Sequence, residues 1–159
     1  MSDIDILNIS VEDNGCGIEY DDAKLLCVRG HTSKNNAGQT LGYKGEALFS
    51  IKAVCASVEI QSKSQSSKGF ILKLKEDSRV LTEGLGVQGT RISLNDPFFN
   101  LPVRKLDWKK RRSSYASAIL KSIKQLCLAF PVRFRLAFSW SSEFNFTSCA
   151  SPNTSERIH

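Results

Sequence analysis

The chain has 159 residues, 41% of them hydrophobic and 24% charged, with a formal charge of +6 and a pI near 9.2. That length fits one ordinary domain and excludes a large multidomain machine, and the balance of apolar and charged residues excludes wholesale disorder. The positive excess favours anionic partners (nucleic acid, nucleotide or acidic lipid) without selecting among them.

Residues 1–20 carry neither a basic leader nor an unbroken apolar stretch, and no apolar run is long enough to cross a bilayer, so an intracellular protein is expected. The five cysteines, Cys16, Cys27, Cys55, Cys127 and Cys149, are widely spaced without a CxxC pair. They read as reduced thiols rather than zinc ligands or disulfides.

In chain order, Leu7, Ile9 and Val11 alternate as in a strand that runs directly into Asp13, Gly15 and Gly17. Residues 29–39 are polar and aperiodic, as in an exposed loop. Ala47, Leu48, Ile51, Val54 and Cys55 have the spacing of one buried helix face over residues 46–55, just after a glycine-rich turn. Antiparallel strands are expected at 58–61, 70–74 and 90–94, with 62–68 as the first hairpin connection. A second helix is expected over 114–129, with Tyr115, Ala118, Ile119, Ile123 and Leu126 on its inner face and Pro131 past its end. Val132, Phe134, Leu136, Phe138 and Trp140 then alternate as a strand, and beyond Ser141 the chain reads as a polar tail.

Three segments carry the chemistry. In Asp13, Asn14, Gly15, Cys16, Gly17 and Ile18, the glycines permit a tight turn with room for a flat ligand against the main chain. The carboxylate there is an acceptor suited to an exocyclic amine. Gly42, Tyr43, Lys44, Gly45 and Glu46 lead into a helix, and glycines before a helix start expose N–H groups at the positive end of its dipole, a seat for phosphate. The spacing is neither a Walker A loop nor GxGxxG. Gly89 and Thr90 open a strand with a hydroxyl able to join Asp13 in binding a base or a water. Alone, each segment reads first as a plain turn, a capped helix or an ordinary strand start.

Together with Thr32, Ser33 and Lys34, and with Asn100, Leu101, Pro102, Val103 and Arg104, these segments resemble the MutL family of DNA mismatch-repair ATPases over roughly residues 7–135. The broader class is the GHKL (Bergerat) type shared with gyrase, certain chaperones and histidine kinases, and the GYKGEAL and LPVR segments point to MutL within it. The fold this implies is an α/β two-layer sandwich, a mixed and mostly antiparallel sheet with helices on one face. An ATPase domain, incomplete at its start, is expected over residues 1–131, and the truncated start of a second domain over 132–159.

By resemblance, Asp13 binds the adenine amine, Gly15 and Gly17 shape the base site, and Thr90 supports the adenine contact. Thr32, Ser33 and Lys34 belong to a lid over ATP. Gly42, Tyr43, Lys44, Gly45, Glu46, Ala47 and Leu48 wrap the triphosphate. The family's water-activating glutamate and magnesium-ligating asparagine lie upstream of the DNGCG loop, where only twelve residues precede Asp13. No catalytic residue and no metal ligand is therefore assigned, Glu12 is no substitute, and weak ATP–Mg2+ binding without turnover is expected.

Between Arg104 and Arg135 stand ten basic residues against one acid, Asp107. Arg104, Lys105, Lys109, Lys110, Arg111 and Arg112 are the candidate DNA contacts, neutralising phosphates without reading sequence. The resemblance implies a MutL-type homo- or heterodimer partner, a mismatch-recognition protein and DNA, in the nucleus of a eukaryote or the cytoplasm otherwise. The alternative is a non-catalytic DNA- or partner-binding module derived from such an ATPase.

Overall fold

A computed structural model of the chain describes residues 7–30, 46–84, 86, 88–129 and 133–148. In order they form β1 (Asn8–Asp13), α1 (Tyr20–Ala23), α2 (Ala47–Val54), β2 (Cys55–Lys63), β3 (Gly69–Lys75), β4 (Ser78–Gly84), β5 (Gly89–Pro97), α3 (Pro102–Ala129), β6 (Phe134–Phe138) and β7 (Ser141–Thr147). The described strands make one seven-stranded sheet in the order β4-β3-β2-β5-β1-β6-β7. Every neighbouring pair is antiparallel.

Register decides which side chains share a face, because successive residues of a strand point to opposite sides. Ile9 and Val11 pair with Leu94 and Ile92, and these pair with Val58 and Ile60, which pair with Leu74 and Leu72. On the other flank Val11 and Ile9 pair with Leu136 and Phe138. All lie on one face, and the helices cover it. One part of the core packs α3, through Trp108, Ala116, Ile123 and Cys127, against β1, β6 and β7. The other packs α1 and α2 against β2 and β3, and Leu94 touches both parts. The opposite face carries Glu12, Arg91, Glu59 and Lys73, at the intervening register positions.

The expected strands and helices are present, with several differences. Residue 62 does not begin a hairpin loop, since β2 continues to Lys63 with Ser62 paired to Phe70 and Thr90. Strand β4 is an edge strand. Its turn, Glu76 and Asp77, has φ +47° at Glu76, and no glycine or asparagine signals that turn in the sequence.

The helix expected over 46–55 stops at Val54, because Cys55 already belongs to β2, and Ala47 is exposed rather than buried. Helix α3 starts twelve residues before the expected Ser114, with Pro102 at its first position, where a missing N–H costs nothing. The dense charges of its first half hid a single buried contact, Trp108. Ala116 and Cys127 are buried, whereas Ala118 is exposed.

The expected tail past Ser141 is strand β7, whose Phe146 is buried opposite Leu136. Strands β6 and β7, which the sequence reading places in a second unit, hydrogen-bond into the same sheet through β1.

Candidate functional site

At one end of the sheet the apolar pattern of the covered face gives way to polar groups. Register continues from Phe134 to Asp13, Thr90, Ser62 and Phe70, one residue from each of five adjacent strands. Three polar residues thus stand side by side between two phenylalanines, on the face the helices cover.

The turn after β1 is built by Asp13 itself. Its Oδ1 accepts the N–H of Gly15 at 2.9 Å, a local bond that closes an Asx turn. Asn14 ties the loop to the far side of the site: its Oδ1 accepts the Arg133 N–H at 2.6 Å, and its own N–H reaches the Arg133 carbonyl at 3.2 Å. Gly17 has φ +74°, and a Cβ there would lie 2.0 Å from the Lys63 carbonyl oxygen. The loop therefore closes against the end of β2, which only glycine allows at this approach.

Gly89 has a comparable role. At φ +125°, a Cβ on it would sit 2.1 Å from the carbonyl oxygen of Asp13. The glycine of the Gly-Thr pair lets β5 close on β1 where Asp13 and Thr90 face each other.

Ser62 organises the row from beneath. Its Oγ donates to the Gly89 carbonyl at 2.8 Å and accepts the Ile18 N–H at 2.9 Å. Thr90 Oγ1 is 2.9 Å away. Since the single Ser62 proton goes to Gly89, the Thr90 hydroxyl donates to Ser62 and is left with lone pairs. Asp13 and Thr90 therefore both present acceptors from directly opposed positions.

Ser62 falls in the segment expected as a hairpin connection, so the sequence gives it no site role. The available signal is its place as the next member of the period-two series Val58, Ile60, where an apolar side chain is due.

An open groove of about 510 Å³ passes this end of the sheet, lined by Asp13, Asn14, Ser62, Gly89, Thr90 and Arg133 among others. It wraps round the sheet end to Glu12, Gln61, Arg91 and Arg135 on the opposite face. There Glu12 accepts hydrogen bonds from Arg91 at 2.5 and 2.9 Å. Glu12 is thus on the face opposite Asp13 and engaged by Arg91.

Thr32, Ser33, Lys34, Gly42, Tyr43, Lys44 and Gly45 lie outside the described residues. Glu46 is the N-cap of α2 and exposed, and Ala47 opens the helix. Leu48 packs on the same buried cluster as Ile18, which follows the Asp13 loop.

Of the six basic residues proposed for DNA, all are in α3, but they are not equivalent. Lys105 is half-buried and bonds Asp96 at 2.7 Å. Arg111 grips Asp107 through two bonds of 2.9 Å. Arg104, Lys109, Lys110 and Arg112 are exposed. Among the described residues no group of three His, Cys, Asp or Glu side chains is placed to hold a metal ion. No helix of the described residues is long and apolar enough to cross a membrane.

No family model matches the chain. Individual proteins do. It is 38% identical over 137 residues to the DNA mismatch repair protein MutL of Desulforudis audaxviator, covering 80% of this chain and 24% of that protein. It is 32% identical over 160 residues to the MutL of Chlorobium phaeovibrioides, covering 94% and 25%. The chain spans about a quarter of the length of these curated relatives.

Among solved structures, the Aquifex aeolicus MutL ATPase domain complexed with ADP superposes with a TM-score of 0.58 at 25% identity, over 78% of this chain and 44% of that one. The N-terminal domain of a DNA repair protein shares the fold at a TM-score of 0.65 and 20% identity, over 94% of this chain and 45% of that one. Sequence likeness and fold agree that the chain is a homologue of the N-terminal ATPase region of the MutL family of DNA mismatch-repair proteins.

Proposed function

We propose that this polypeptide binds an adenine nucleotide, with Asp13 and Thr90 receiving the exocyclic amine. The observation that carries the reading is the opposed pair of acceptors, Asp13 and Thr90, the latter made an acceptor by its bond to Ser62. An amine with two N–H donors satisfies such a pair, whereas the guanine carbonyl at the same ring position would face it with a third acceptor. The ADP held by the Aquifex aeolicus MutL domain supports the same choice. By resemblance, Gly15 and Gly17 shape the base site. The same resemblance assigns Thr32, Ser33 and Lys34 to a lid over the nucleotide and Gly42, Tyr43, Lys44, Gly45, Glu46, Ala47 and Leu48 to the phosphates.

The described residues do not fit a protein-built Mg2+ site, and no chemical step is derived through one. Glu12 is paired with Arg91 on the outer face, and no water-activating role is assigned to it. Turnover by this polypeptide is expected to be undetectable. Nucleotide binding is read as the signal for pairing with a MutL-type partner and for recruiting a mismatch-recognition protein on DNA, in the nucleus of a eukaryote or the cytoplasm otherwise. A switch of that kind requires the ligand to contact two states differently.

Calorimetric titration tests the binding reading. ADP should bind with an affinity at least about tenfold above GDP, and Asp13→Asn should cost about tenfold or more by placing a donor against the amine. Equal affinities for ADP and GDP, or an Asp13→Asn variant that binds ADP as well as the parent, would sink it.

A second reading rests on the exposed side chains of α3. Arg104, Lys109, Lys110 and Arg112 are placed to neutralise DNA phosphates, and the bond to Asp96 removes Lys105 from that set. Replacing Lys109 and Lys110 with glutamine should flatten the log–log salt dependence of duplex binding by about 1.8, the value for two lost phosphate contacts. An unchanged slope would exclude this face.

A further inference from the structure

Helix α3 is interrupted at Arg111, whose φ −114° and ψ 20° are not helical. The interruption falls within Lys109, Lys110, Arg111, Arg112, Ser113 and Ser114, and both serines are exposed. A clamp spans it. The Arg111 guanidinium donates to both oxygens of Asp107 at 2.9 Å, and the Tyr115 hydroxyl donates to Asp107 Oδ2 at 2.6 Å. The Tyr115 ring stacks on Trp108 with centroids 5.0 Å apart and planes 3° from parallel. The bonds from Arg111 and then Tyr115 hold the Asp107 carboxyl below its usual range. One carboxylate thus joins the two halves of the helix.

Ser114 has Arg111 and Arg112 at three and two residues before it. Paired basic residues at those positions are the charge pattern that an acidic kinase groove selects. A regular helix hides such a pattern from a groove that takes extended chain. Here one residue of the turn before the serine, Arg111, already stands outside helical geometry, which lowers the cost of local opening. We propose that Ser114 is a phosphoacceptor for a basic-directed serine/threonine kinase, and that phosphate there draws Arg111 from Asp107 and releases the clamp across the break in α3.

In the transfer, Ser114 Oγ attacks the γ-phosphorus of the kinase's ATP. The Oγ–P bond forms as the bond from that phosphorus to the β,γ-bridging oxygen breaks, the hydroxyl proton passes to the kinase's base, and ADP leaves. The product bears close to two negative charges and three acceptor oxygens. Arg112, Arg111 and Lys110, two to four residues earlier, are the cations nearest to it in sequence. A dianion one turn away outcompetes a monoanionic carboxylate for the guanidinium.

The test treats the 159-residue protein with the catalytic subunit of cyclic-AMP-dependent kinase and Mg-ATP, maps phosphate by peptide mass spectrometry and follows tryptophan emission. The expected result is phosphate on Ser114, its loss in Ser114→Ala, and an emission shift as Trp108 leaves its stack. Asp107→Asn should reproduce that shift without kinase, and Ser114→Ala, at an exposed position, should leave the unmodified spectrum unchanged. Absence of incorporation, incorporation only elsewhere, or phosphorylated Ser114 with unaltered emission would each overturn the proposal.

Discussion

The hydroxyl oxygens of Ser62 and Thr90 lie 2.9 Å apart on neighbouring strands, and that bond fixes what Thr90 offers to a ligand. Ser62→Ala leaves the Ile18 N–H and the Gly89 carbonyl without their partner and lets the Thr90 proton rotate outward. A loss of about 1–2 kcal/mol in denaturant unfolding is expected, together with weaker ADP binding by calorimetry. A variant as stable as the parent would mean that water replaces Ser62 in full.

Gly89→Ala should be far more damaging than its size suggests. The added carbon meets the Asp13 carbonyl at 2.1 Å with φ already at +125°, so either β5 leaves β1 or the turn at Asp13 is rebuilt. About 3 kcal/mol is expected from unfolding curves, with nucleotide binding lost alongside. Gly30, with open space around it despite φ +72°, provides the control: Gly30→Ala should cost about 1 kcal/mol, the strain alone.

Lys105 and Lys109 separate structural from surface charge. Lys105→Ala strands Asp96, whose Oδ1 is buried and has no hydrogen-bond partner. Thermal unfolding should show a loss of about 2–3 kcal/mol, because the remaining carboxylate is uncompensated. Lys109→Ala, at an exposed position, should stay within about 0.5 kcal/mol. Similar values for the two would show that the Asp96 pair adds nothing.

Thiol chemistry provides a pH test. Burial, and then the negative charge of Asp96, push the Cys55 thiol up from 9.0 to about 11. The unfolded thiol ionises first as pH rises. The stability contributed by the neutral thiol is therefore complete below its unfolded value and is lost as pH climbs towards the folded one. At about pH 8 iodoacetamide should label the exposed Cys16 quickly and spare Cys55 until the protein is denatured. Equal labelling in the native state would contradict the burial of Cys55.

Much of this protein was legible from local pattern alone. Alternation placed β1, β2, β3, β5 and β6, because a half-buried strand must repeat every second residue, and the glycines around Asp13 marked a turn that side chains would block. The motifs that name the family are also local, since each is a short run with its own backbone requirement. Edge strand β4 and the first half of α3 escaped, the one because it buries little and turns without glycine, the other because a single Trp108 leaves no periodic stripe.

Register was beyond the sequence, and register makes the site. Only pairing across five strands sets Asp13, Thr90 and Ser62 in a row, turns Glu12 to the opposite face, and joins β6 to β1. A tertiary contact likewise gives Lys105 to Asp96 and sets Lys124 over the Phe146 ring. A sequence records which residues are charged, but the distance to a counter-charge is a property of the fold.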